Sequence, residues 1–305
     1  MRIAITGSRG FIGGCFGRHA AAAGHAVLGI SRSSQPGADW PGDHAHADAV
    51  YSDLSPILRE WHPDVVLHAA GSASVQESLD RPMEDLRGAV LTLANTMESI
   101  RRAGIAPVLV FTSGAAVYGQ PAKLPAAETA PVAPVSPFGF HKAACEMLAR
   151  EAAELMGMRV IVCRLFSIYG PRKRRGLIWE VYRHLKEEVG VVDLHGTGSE
   201  TRDYLHCDDF CTALLALIQH PRRGLTTVNI ASGTEVSVSQ LAEELKRITG
   251  IEKMLTCRGG QRQGEPQHTG ADIKLLRELA PGWQPRPLRD GLAETIASWE
   301  ARQGR

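Results

Sequence analysis

The stretch Arg2-Ile3-Ala4-Ile5-Thr6-Gly7-Ser8-Arg9-Gly10-Phe11-Ile12-Gly13 decides the fold of this chain. A short apolar run precedes the glycines and an alanine-rich run follows them at 15–24, so the pattern predicts a strand, a tight turn and a helix. Gly7 permits the turn, Gly10 lets the backbone approach a pyrophosphate, and Gly13 lets the helix pack on the strand. The helix N-terminus then faces the phosphates of a dinucleotide. The alternative is a purely structural turn, which the flanking strand and helix disfavour.

Apolar β-type runs continue to alternate with helical stretches beyond this turn. We expect strands at 26–30, 64–68, 108–112 and 159–165. The alternation predicts an α/β fold: a doubly wound parallel sheet of the Rossmann type with right-handed crossovers, formed by residues 1–170. After that point short strands mix with helices such as 239–249. Residues 171–305 are therefore predicted to form a smaller mixed α/β lobe, which binds the substrate and interleaves with the sheet domain.

The overall charge and hydropathy limit the kinds of partner. The chain has 34 basic and 33 acidic residues, and a net charge of +1 gives no electrostatic reason to bind nucleic acid or an anionic membrane. We see neither an apolar run of membrane-spanning length nor the pattern of a signal peptide at the start. We therefore expect a cytoplasmic protein whose partner is a small molecule.

The cysteines show no pattern that predicts disulfide pairing or a metal site. Six of them are scattered through the 305 residues, which is typical of reduced thiols in an intracellular protein. The segment His206-Cys207-Asp208-Asp209-Phe210-Cys211 superficially resembles a metal cluster. A second pair of ligands at zinc spacing is missing from the sequence, so we predict no metal.

Seven short fragments, in addition to the glycine turn, carry a family resemblance. They are PDVVLHAA (63–70), VYG (117–119), SPFGFHK (136–142), YGP (169–171), RDYLH (202–206), NIASG (229–233) and GEP (264–266). In this order they resemble the extended short-chain dehydrogenase/reductases of the NAD-dependent epimerase/dehydratase type. That family acts mostly on nucleotide sugars, so the resemblance implies a dinucleotide cofactor and such a substrate.

The type of cofactor depends on the end of the second strand. A carboxylate there would bind the adenosine ribose of NAD, whereas this chain has Ser31 and Arg32. A guanidinium suits a 2′-phosphate, so we expect NADP to be preferred, with NAD possible. The alternative is that Arg32 is a solvated loop residue. The residues expected to contact the cofactor are Gly7, Ser8, Arg9, Gly10, Phe11, Ile12, Gly13, Ser31, Arg32, Asp53, Leu54, Ala69, Ala70, Gly71, Lys142 and Leu165.

The resemblance also shows where the chain departs from its relatives. In the family a tyrosine exchanges the hydroxyl proton, and a lysine four residues later lowers the pKa of that tyrosine and holds the nicotinamide ribose. The lysine is Lys142, but the tyrosine position is Phe138. The positions of the assisting Ser/Thr and of a frequent asparagine are Gly114 and Ala89. Three of the four usual groups are therefore replaced.

A phenyl ring cannot exchange a proton, and loss of a positioned acid/base costs roughly 10²–10⁴ in rate. Either another group moves the proton, or the protein binds a dinucleotide without turnover. Candidates for the proton are His141 and Tyr118, although neighbouring residues on a helix point about 100° apart, so His141 and Lys142 cannot both face the cofactor. Ser113 is a further candidate, better suited to binding the substrate.

Substrate recognition resembles the family more closely. Arg202 and Arg262 match positions that clamp a nucleotide diphosphate, and the alternative for both is ordinary surface charge. Ser167 stands where an asparagine commonly contacts a substrate phosphate, and a hydroxyl offers fewer hydrogen bonds. The residues expected to contact the substrate are Ser113, Phe138, Ser167, Arg202 and Arg262.

The sequence thus supports two hypotheses on function. The first is an NAD(P)-dependent epimerase, dehydratase or reductase that acts on a nucleotide sugar or a related hydroxylated substrate through altered proton transfer. The second is a non-catalytic protein of the same fold that binds or senses NADP. Many relatives pair through two helices of the sheet domain, so a homodimer through helices at 86–103 and 142–155 is expected, although apolar helix faces more often belong to the core.

Overall fold

The structure is a computed structural model, and it describes residues 1–187, 191–194, 196–260 and 263–301. The strands are β1 Arg2–Thr6, β2 Ala26–Ser31, β3 Asp43–His46, β4 Val65–His68, β5 Val108–Gly114, β6 Arg159–Leu165, β7 Ser167–Tyr169, β8 Val191–Leu194, β9 Thr201–His206, β10 Leu225–Ile230, β11 Glu235–Ser237 and β12 Met254–Cys257. The helices are α1 Phe11–Ala22, α2 Ser55–Trp61, α3 Val75–Asp80, α4 Pro82–Leu86, α5 Thr92–Ala103, α6 Pro137–Leu155, α7 Leu177–Glu187, α8 Cys207–Gln219, α9 Val238–Thr249, α10 Lys274–Leu279 and α11 Leu288–Ala301. A π-helical turn at Arg87–Leu91 joins α4 to α5, and a 3₁₀ turn at Ala115–Tyr118 follows β5.

Among the described residues, seven strands form one parallel sheet in the order β10-β6-β5-β4-β1-β2-β3. The predicted strands at 26–30, 64–68, 108–112 and 159–165 are β2, β4, β5 and β6, so the doubly wound parallel sheet is confirmed. The strand order reverses between β1 and β4. In such sheets a crevice opens at the carboxyl ends of the strands at this switch point, and ligands bind there.

Both faces of the sheet are covered by helices. Along β1, Ile3 and Ile5 pack into the core on the side of α1 and α8, while Ala4 faces the opposite core, which contains α2, α5 and α6. This alternation follows from the period of two in a strand. A third core around Trp299, Tyr182 and Leu241 holds the smaller lobe together.

The part of the chain after residue 170 contributes to both bodies. Strand β10 pairs with β6, and α8 packs on α1, so both belong to the main sheet. The strands β7, β9 and β11 form a small separate sheet, and β8 pairs with β12. The chain therefore passes from the sheet into the lobe and back, and a single cut at residue 170 is a division of the sequence only.

Strand β3 is an element that the sequence did not reveal. Its residues Asp-His-Ala-His are mostly polar and partly exposed, because β3 is the edge strand and pairs only with β2. Period-two apolar signals are weak in such a strand. The missed strand matters for the cofactor site, because residues 47–50, directly after β3, line the cavity described below.

Candidate cofactor and substrate site

A cavity of about 830 Å³ lies at the carboxyl ends of β1, β2 and β4, and we call it the cofactor chamber. Its walls come from the glycine turn, the end of β2, residues 47–50, residues 69–72 and parts of 77–92. The predicted cofactor residues that the structure brings together on these walls are Gly7, Arg9, Gly10, Ser31, Arg32, Ala69, Ala70 and Gly71.

The glycine turn is set by close backbone packing. Gly7 has a φ of 71°, and a Cβ placed there would lie 2.6 Å from the carbonyl oxygen of Ala69. A Cβ at Gly13 would lie 2.5 Å from the carbonyl oxygen of Gly7. Gly10 begins α1 without a side-chain cap, and the first turn of α1 has no acidic residue, so the amides of that turn suit an anion.

The side chains of the other predicted residues of the turn pack within the protein. The Ser8 side chain is buried and donates a hydrogen bond of 3.4 Å to the carbonyl of Ile30, while Phe11 and Ile12 pack against the core beside α1. Leu165 likewise packs against this core.

The end of β2 carries positive charge and hydroxyl groups. Ser31, Arg32 and Ser33 all line the chamber. Arg9 reaches them from the glycine turn, because its Nη1 donates to Ser33 Oγ at 2.5 Å and to the carbonyl of Gln35 at 3.1 Å. The Ser31 hydroxyl lies 3.0 Å from His44 Nε2. Arg9, Arg32, Ser31 and Ser33 therefore give this part of the chamber wall two guanidinium groups and two hydroxyl groups.

Asp53 and Leu54, expected beside the adenine, are not among the residues that line the chamber. Leu54 is fully buried in the core, and Asp53 accepts a hydrogen bond of 2.9 Å from the amide of Ser55 and pairs with Arg102 at 3.3 Å. Hydrogen bonds from Ser55 hold the pKa of Asp53 below its usual range. The chamber wall here is formed by residues 47–50, directly after β3. Recognising β3 in the sequence would have moved the assignment to Asp48.

Lys142, expected to hold the nicotinamide ribose, is buried beside the end of β5 and is not among the residues that line the chamber. Its Nζ donates a hydrogen bond of 2.9 Å to the carbonyl of Thr112 and lies 5.1 Å from the ring centroid of Phe111. The ring of Phe138 is 5.6 Å from the same nitrogen. Burial lowers the pKa of Lys142. The structure thus brings Phe138 and Lys142 together, as the fragment SPFGFHK predicts.

Tyr118 is poorly placed to exchange a proton, which corrects its candidacy. Its hydroxyl donates to Asn229 Oδ1 at 2.6 Å and accepts from Arg164 Nη1 at 2.9 Å, in a site where the side chain is 2% exposed. Burial raises the pKa of Tyr118, with Arg164 opposing that shift. Both hydrogen-bonding roles of the phenol are occupied by structural partners, so it acts as part of the scaffold.

Ser113 belongs to the same buried network. Its hydroxyl donates to Glu146 Oε1 at 2.6 Å, and Glu146 is held by Arg164 through contacts of 2.7 Å to Nη2 and 3.0 Å to Nε. Arg164 and Glu146 are nearly buried. The carboxylate therefore has two strong partners, and Ser113 is fixed by it.

Two glycines of the chamber wall, Gly71 and Gly88, approach each other closely. Gly88, in the π-helical turn, lines the chamber, and a Cβ on Gly71 would lie 2.9 Å from its carbonyl oxygen. Ala89, which the sequence placed at the family's asparagine position, is buried in the core with α5. No amide side chain stands at either position.

His141 has a partner that the sequence did not single out. Its Nδ1 lies 2.5 Å from Oδ2 of Asp85, which is 4% exposed and lines the cofactor chamber. The two residues are 56 positions apart, so only packing of α4 on α6 brings them together.

A second cavity of about 360 Å³ lies in the smaller lobe, and we call it the lobe cavity. Ser167 and Arg202 are on its wall, as predicted for substrate residues. Arg202 donates to the carbonyls of Thr201 and Gln267, at 2.8 and 3.1 Å, and pairs with Glu265 at 3.2 Å. Arg262 lies outside the described residues.

The cysteines and the histidine beside them show no complete metal site in the part of the chain that is described. All six cysteines are free thiols. His206, Cys207 and Asp208 offer ligand atoms within 4.8 Å of one another. Three ligands are one fewer than structural zinc uses.

These features define a class of protein: the chain belongs to the NAD dependent epimerase/dehydratase family, whose sequence model matches residues 3–231. The family resemblance inferred from the seven fragments is therefore confirmed. None of the described helices is long and apolar enough to cross a bilayer.

Two relatives and one solved structure are similar to this chain over most of its length. The chain is 32% identical over 266 residues to the UDP-glucose 4-epimerase of Azospirillum brasilense, a match that covers 81% of this chain and 76% of the relative. It is 29% identical to the UDP-glucose 4-epimerase of Mycolicibacterium smegmatis, with 97% of each chain covered. The fold is similar to that of MoeE5, solved in complex with UDP-glucose and NAD, with a TM-score of 0.90, 28% identity, and coverage of 99% of this chain and 100% of MoeE5.

Proposed function

We propose that this protein is an NAD(P)-dependent enzyme that transfers hydride to and from the sugar of a nucleotide sugar. The observation that carries the proposal is the arrangement of the two cavities. Ser72 lines the cofactor chamber and its neighbour Ala73 lines the lobe cavity, so the two cavities flank one turn after β4. A sugar whose nucleotide occupies the lobe cavity would then lie near the nicotinamide end, beside Lys142.

The lobe cavity suits a nucleotide diphosphate. Arg202 supplies a guanidinium, which binds phosphate oxygens in a forked geometry. Tyr204 and Trp299 also line the cavity, and the hydroxyl and the indole nitrogen lack hydrogen-bond partners in the described residues. Relatives of nearly full length are named UDP-glucose 4-epimerases, which favours a uridine nucleotide.

The groups at the end of β2 favour NADP over NAD. Arg9 and Arg32 offer two cations and Ser31 and Ser33 two hydroxyls, while no carboxylate stands among residues 31–35. A 2′-phosphate gains charge-assisted hydrogen bonds from such a set. NAD, which the solved relative MoeE5 binds, remains a cofactor for the same glycine turn.

The test is a panel of UDP-glucose, UDP-glucuronic acid and GDP-linked sugars, mixed with the protein and either oxidised cofactor. We expect at least one sugar to produce reduced nicotinamide absorbance, and Lys142→Met to abolish that signal. The change preserves an apolar stem while removing the cation that holds the nicotinamide ribose in the proposed role.

A second candidate is a protein that binds NADP without turnover, and Phe138 is the observation that favours it. This candidate predicts tight NADPH binding and no absorbance change with any sugar of the panel. Substitution Phe138→Tyr separates the two: activity that arises only in the variant would mean that the missing hydroxyl was limiting.

The exposed apolar residues on α6 and the adjacent π-helical turn support a homodimer. Phe140 and Met147 are 60% and 74% exposed and seven positions apart, hence on one face of α6, and Leu91 is 43% exposed on the turn that packs against α6. Exposed apolar patches of this kind mark interfaces. Light scattering on Met147→Glu should give a smaller particle than the parent.

Six free cysteines agree with a cytoplasmic site of action.

A further inference from the structure

Asp85 is a carboxylate in the wall of the cofactor chamber with one oxygen unused. The residue is 4% exposed, and its Oδ2 lies 2.5 Å from His141 Nδ1. Its Oδ1 is buried and has no hydrogen-bond partner within the described part of the chain. A buried carboxylate oxygen without a partner costs free energy, so its retention calls for a reason beyond stability.

The position of Asp85 connects it with the residues that the family uses for proton transfer. Phe138, His141 and Lys142 are at relative positions 0, 3 and 4 of α6, so they lie on neighbouring parts of one face. Helix α4 packs on this helix and presents Asp85 to His141. Asp85 therefore lines the chamber from the helix that packs on α6, and α6 carries Phe138 and Lys142.

The contact with Asp85 gives His141 a role that does not require its side chain to face the cofactor. Side chains of adjacent helical residues diverge by about 100°, so His141 cannot face the cofactor as Lys142 does. Asp85 can face the cofactor, because it belongs to the chamber wall, and His141 holds it through the contact with Oδ2. An imidazole that is hydrogen-bonded to a carboxylate fixes the orientation of that carboxylate, as residues behind a functional side chain commonly do.

The titratable groups around Asp85 and Lys142 are His141, Cys145 and Glu146 on α6 and His68 on β4. Burial raises the pKa of Cys145 to about 11, so that thiol stays neutral near neutral pH. Burial also lowers the pKa of Lys142, and the charge of Asp85 opposes that shift.

We propose that Asp85 is the acid/base of this enzyme and that His141 is its positioning residue, an inference that rests on the proposed function. In the oxidation step the sugar hydroxyl gives its proton to Asp85 Oδ1. The hydride on the same carbon leaves with two electrons for the nicotinamide, and the C–O bond becomes a carbonyl. The Asp85 carboxyl formed in this step keeps its Oδ2 contact with His141. The reverse step returns the proton from Oδ1 and the hydride from the nicotinamide, so no other reactant is needed.

The experiment compares four variants with the wild-type protein: Asp85→Asn, Asp85→Ala, His141→Gln and, as control, Glu151→Gln. Glu151 is an exposed carboxylate on the same helix as His141. Single-turnover reduction of NADP by the most active sugar of the panel gives the rate, and fluorescence titration with NADPH gives the cofactor affinity. Each is measured across the pH range in which the protein stays folded.

Asp85→Asn is expected to lose roughly 10²–10⁴ in rate while NADPH affinity stays within about threefold of wild type. Added formate should restore part of the rate of Asp85→Ala, a rescue that a purely structural role would not give. His141→Gln should shift the pH profile of the rate, and Glu151→Gln should match wild type.

The outcomes separate this inference from the proposed function. If the wild type turns over and Asp85→Asn stays within about threefold of its rate, far from the roughly 10² expected, Asp85 is refuted and the function stands. A folded Asp85→Ala that loses activity and gains nothing from formate also refutes the role in proton transfer. If the wild type binds NADPH but reduces no cofactor with any sugar, the proposed function fails and the role of Asp85 fails with it.

Discussion

The two ends of the cofactor chamber are built on different principles. At the phosphate end the backbone does the binding: Gly7 and Gly13 are required because a Cβ at either would overlap a neighbouring carbonyl. In the region that the proposed function assigns to the nicotinamide, buried side chains hold one another, as in the contacts Lys142–Thr112 and Arg164–Glu146. The difference teaches that proton chemistry can change at one end, as Phe138 suggests, while the phosphate end keeps its geometry.

The largest effect is expected from breaking the backbone end with Gly7→Ala. The added Cβ would lie 2.6 Å from the carbonyl oxygen of Ala69, and the backbone there has a φ of 71°. NADPH affinity should fall below detection and the melting temperature should drop. The matched control is Gly24→Ala, which has a φ of 83° but no atom within 4 Å of the new Cβ. Its cost should be about 1–2 kcal/mol from conformation alone, with NADPH binding retained. Equal loss of binding in both variants would contradict the account.

The next largest effect is expected from Arg164→Met, which disrupts the buried network of Arg164 and Glu146. This change leaves Glu146 buried without its cation, and loss of one partner of a buried pair costs about 3–5 kcal/mol in free energy of unfolding. The control is Arg150→Met on α6, the helix that carries Glu146. The pair of Arg150 with Glu154 is exposed and should contribute less than about 1 kcal/mol. Denaturant unfolding measures both. Similar losses for the two variants would show that the buried pair does not hold the nicotinamide end.

The adenosine ribose, on the side of the pyrophosphate away from the nicotinamide, is probed by Arg32→Glu. A carboxylate there repels a 2′-phosphate and accepts hydrogen bonds from the hydroxyls of NAD. The ratio of NADPH to NADH affinity should fall at least about tenfold, which corresponds to roughly 1.4 kcal/mol. Arg247→Glu makes the same charge change on α9, where Arg247 pairs with Glu244 in the smaller lobe, and should leave the ratio unchanged. An unchanged ratio in Arg32→Glu would argue against NADP preference.

The smallest effect on turnover is expected from Tyr118→Phe. The phenol is bonded to Asn229 and Arg164, so its loss should lower stability while the rate stays within about threefold, against the roughly 10²–10⁴ that loss of an acid/base costs. Single-turnover rates at several pH values check this. A loss of that larger size, at unchanged cofactor affinity, would restore Tyr118 as the proton-transfer group.

The two ends also differ in how far the sequence predicts them. The phosphate end follows from a contiguous stretch, because the glycine spacing together with the flanking strand and helix patterns predicts the turn. The adenine side is harder to predict, since the polar edge strand β3 gives no apolar pattern, and Asp48 directly after it lines the chamber whereas the expected Asp53 does not. Difficulties of this kind arise where pairing with a neighbouring strand, and not composition, decides the structure.

The nicotinamide end depends on contacts between distant segments. The sequence named His141 and Tyr118, but it could not tell that Tyr118 turns to Asn229, 111 positions away, or that His141 meets Asp85. Asp85 lies outside the seven fragments, and the fragment NIASG, which begins at Asn229, does not indicate which side chain Asn229 meets. Packing of α4 on α6, and of the 3₁₀ turn near β10, creates these contacts, and such packing is visible only in three dimensions.

The most direct test compares the two ends in one pair of proteins, wild type and Phe138→Tyr. NADPH affinity and sugar-dependent reduction of NADP are measured on the same samples by fluorescence and by rapid absorbance. We expect equal NADPH affinities, within about threefold of each other, and turnover by the wild type without the added hydroxyl, because Asp85 supplies the acid/base. An inert wild type with an active Phe138→Tyr, or a large change in NADPH affinity, would contradict a binding scaffold that is kept whole beside altered proton chemistry.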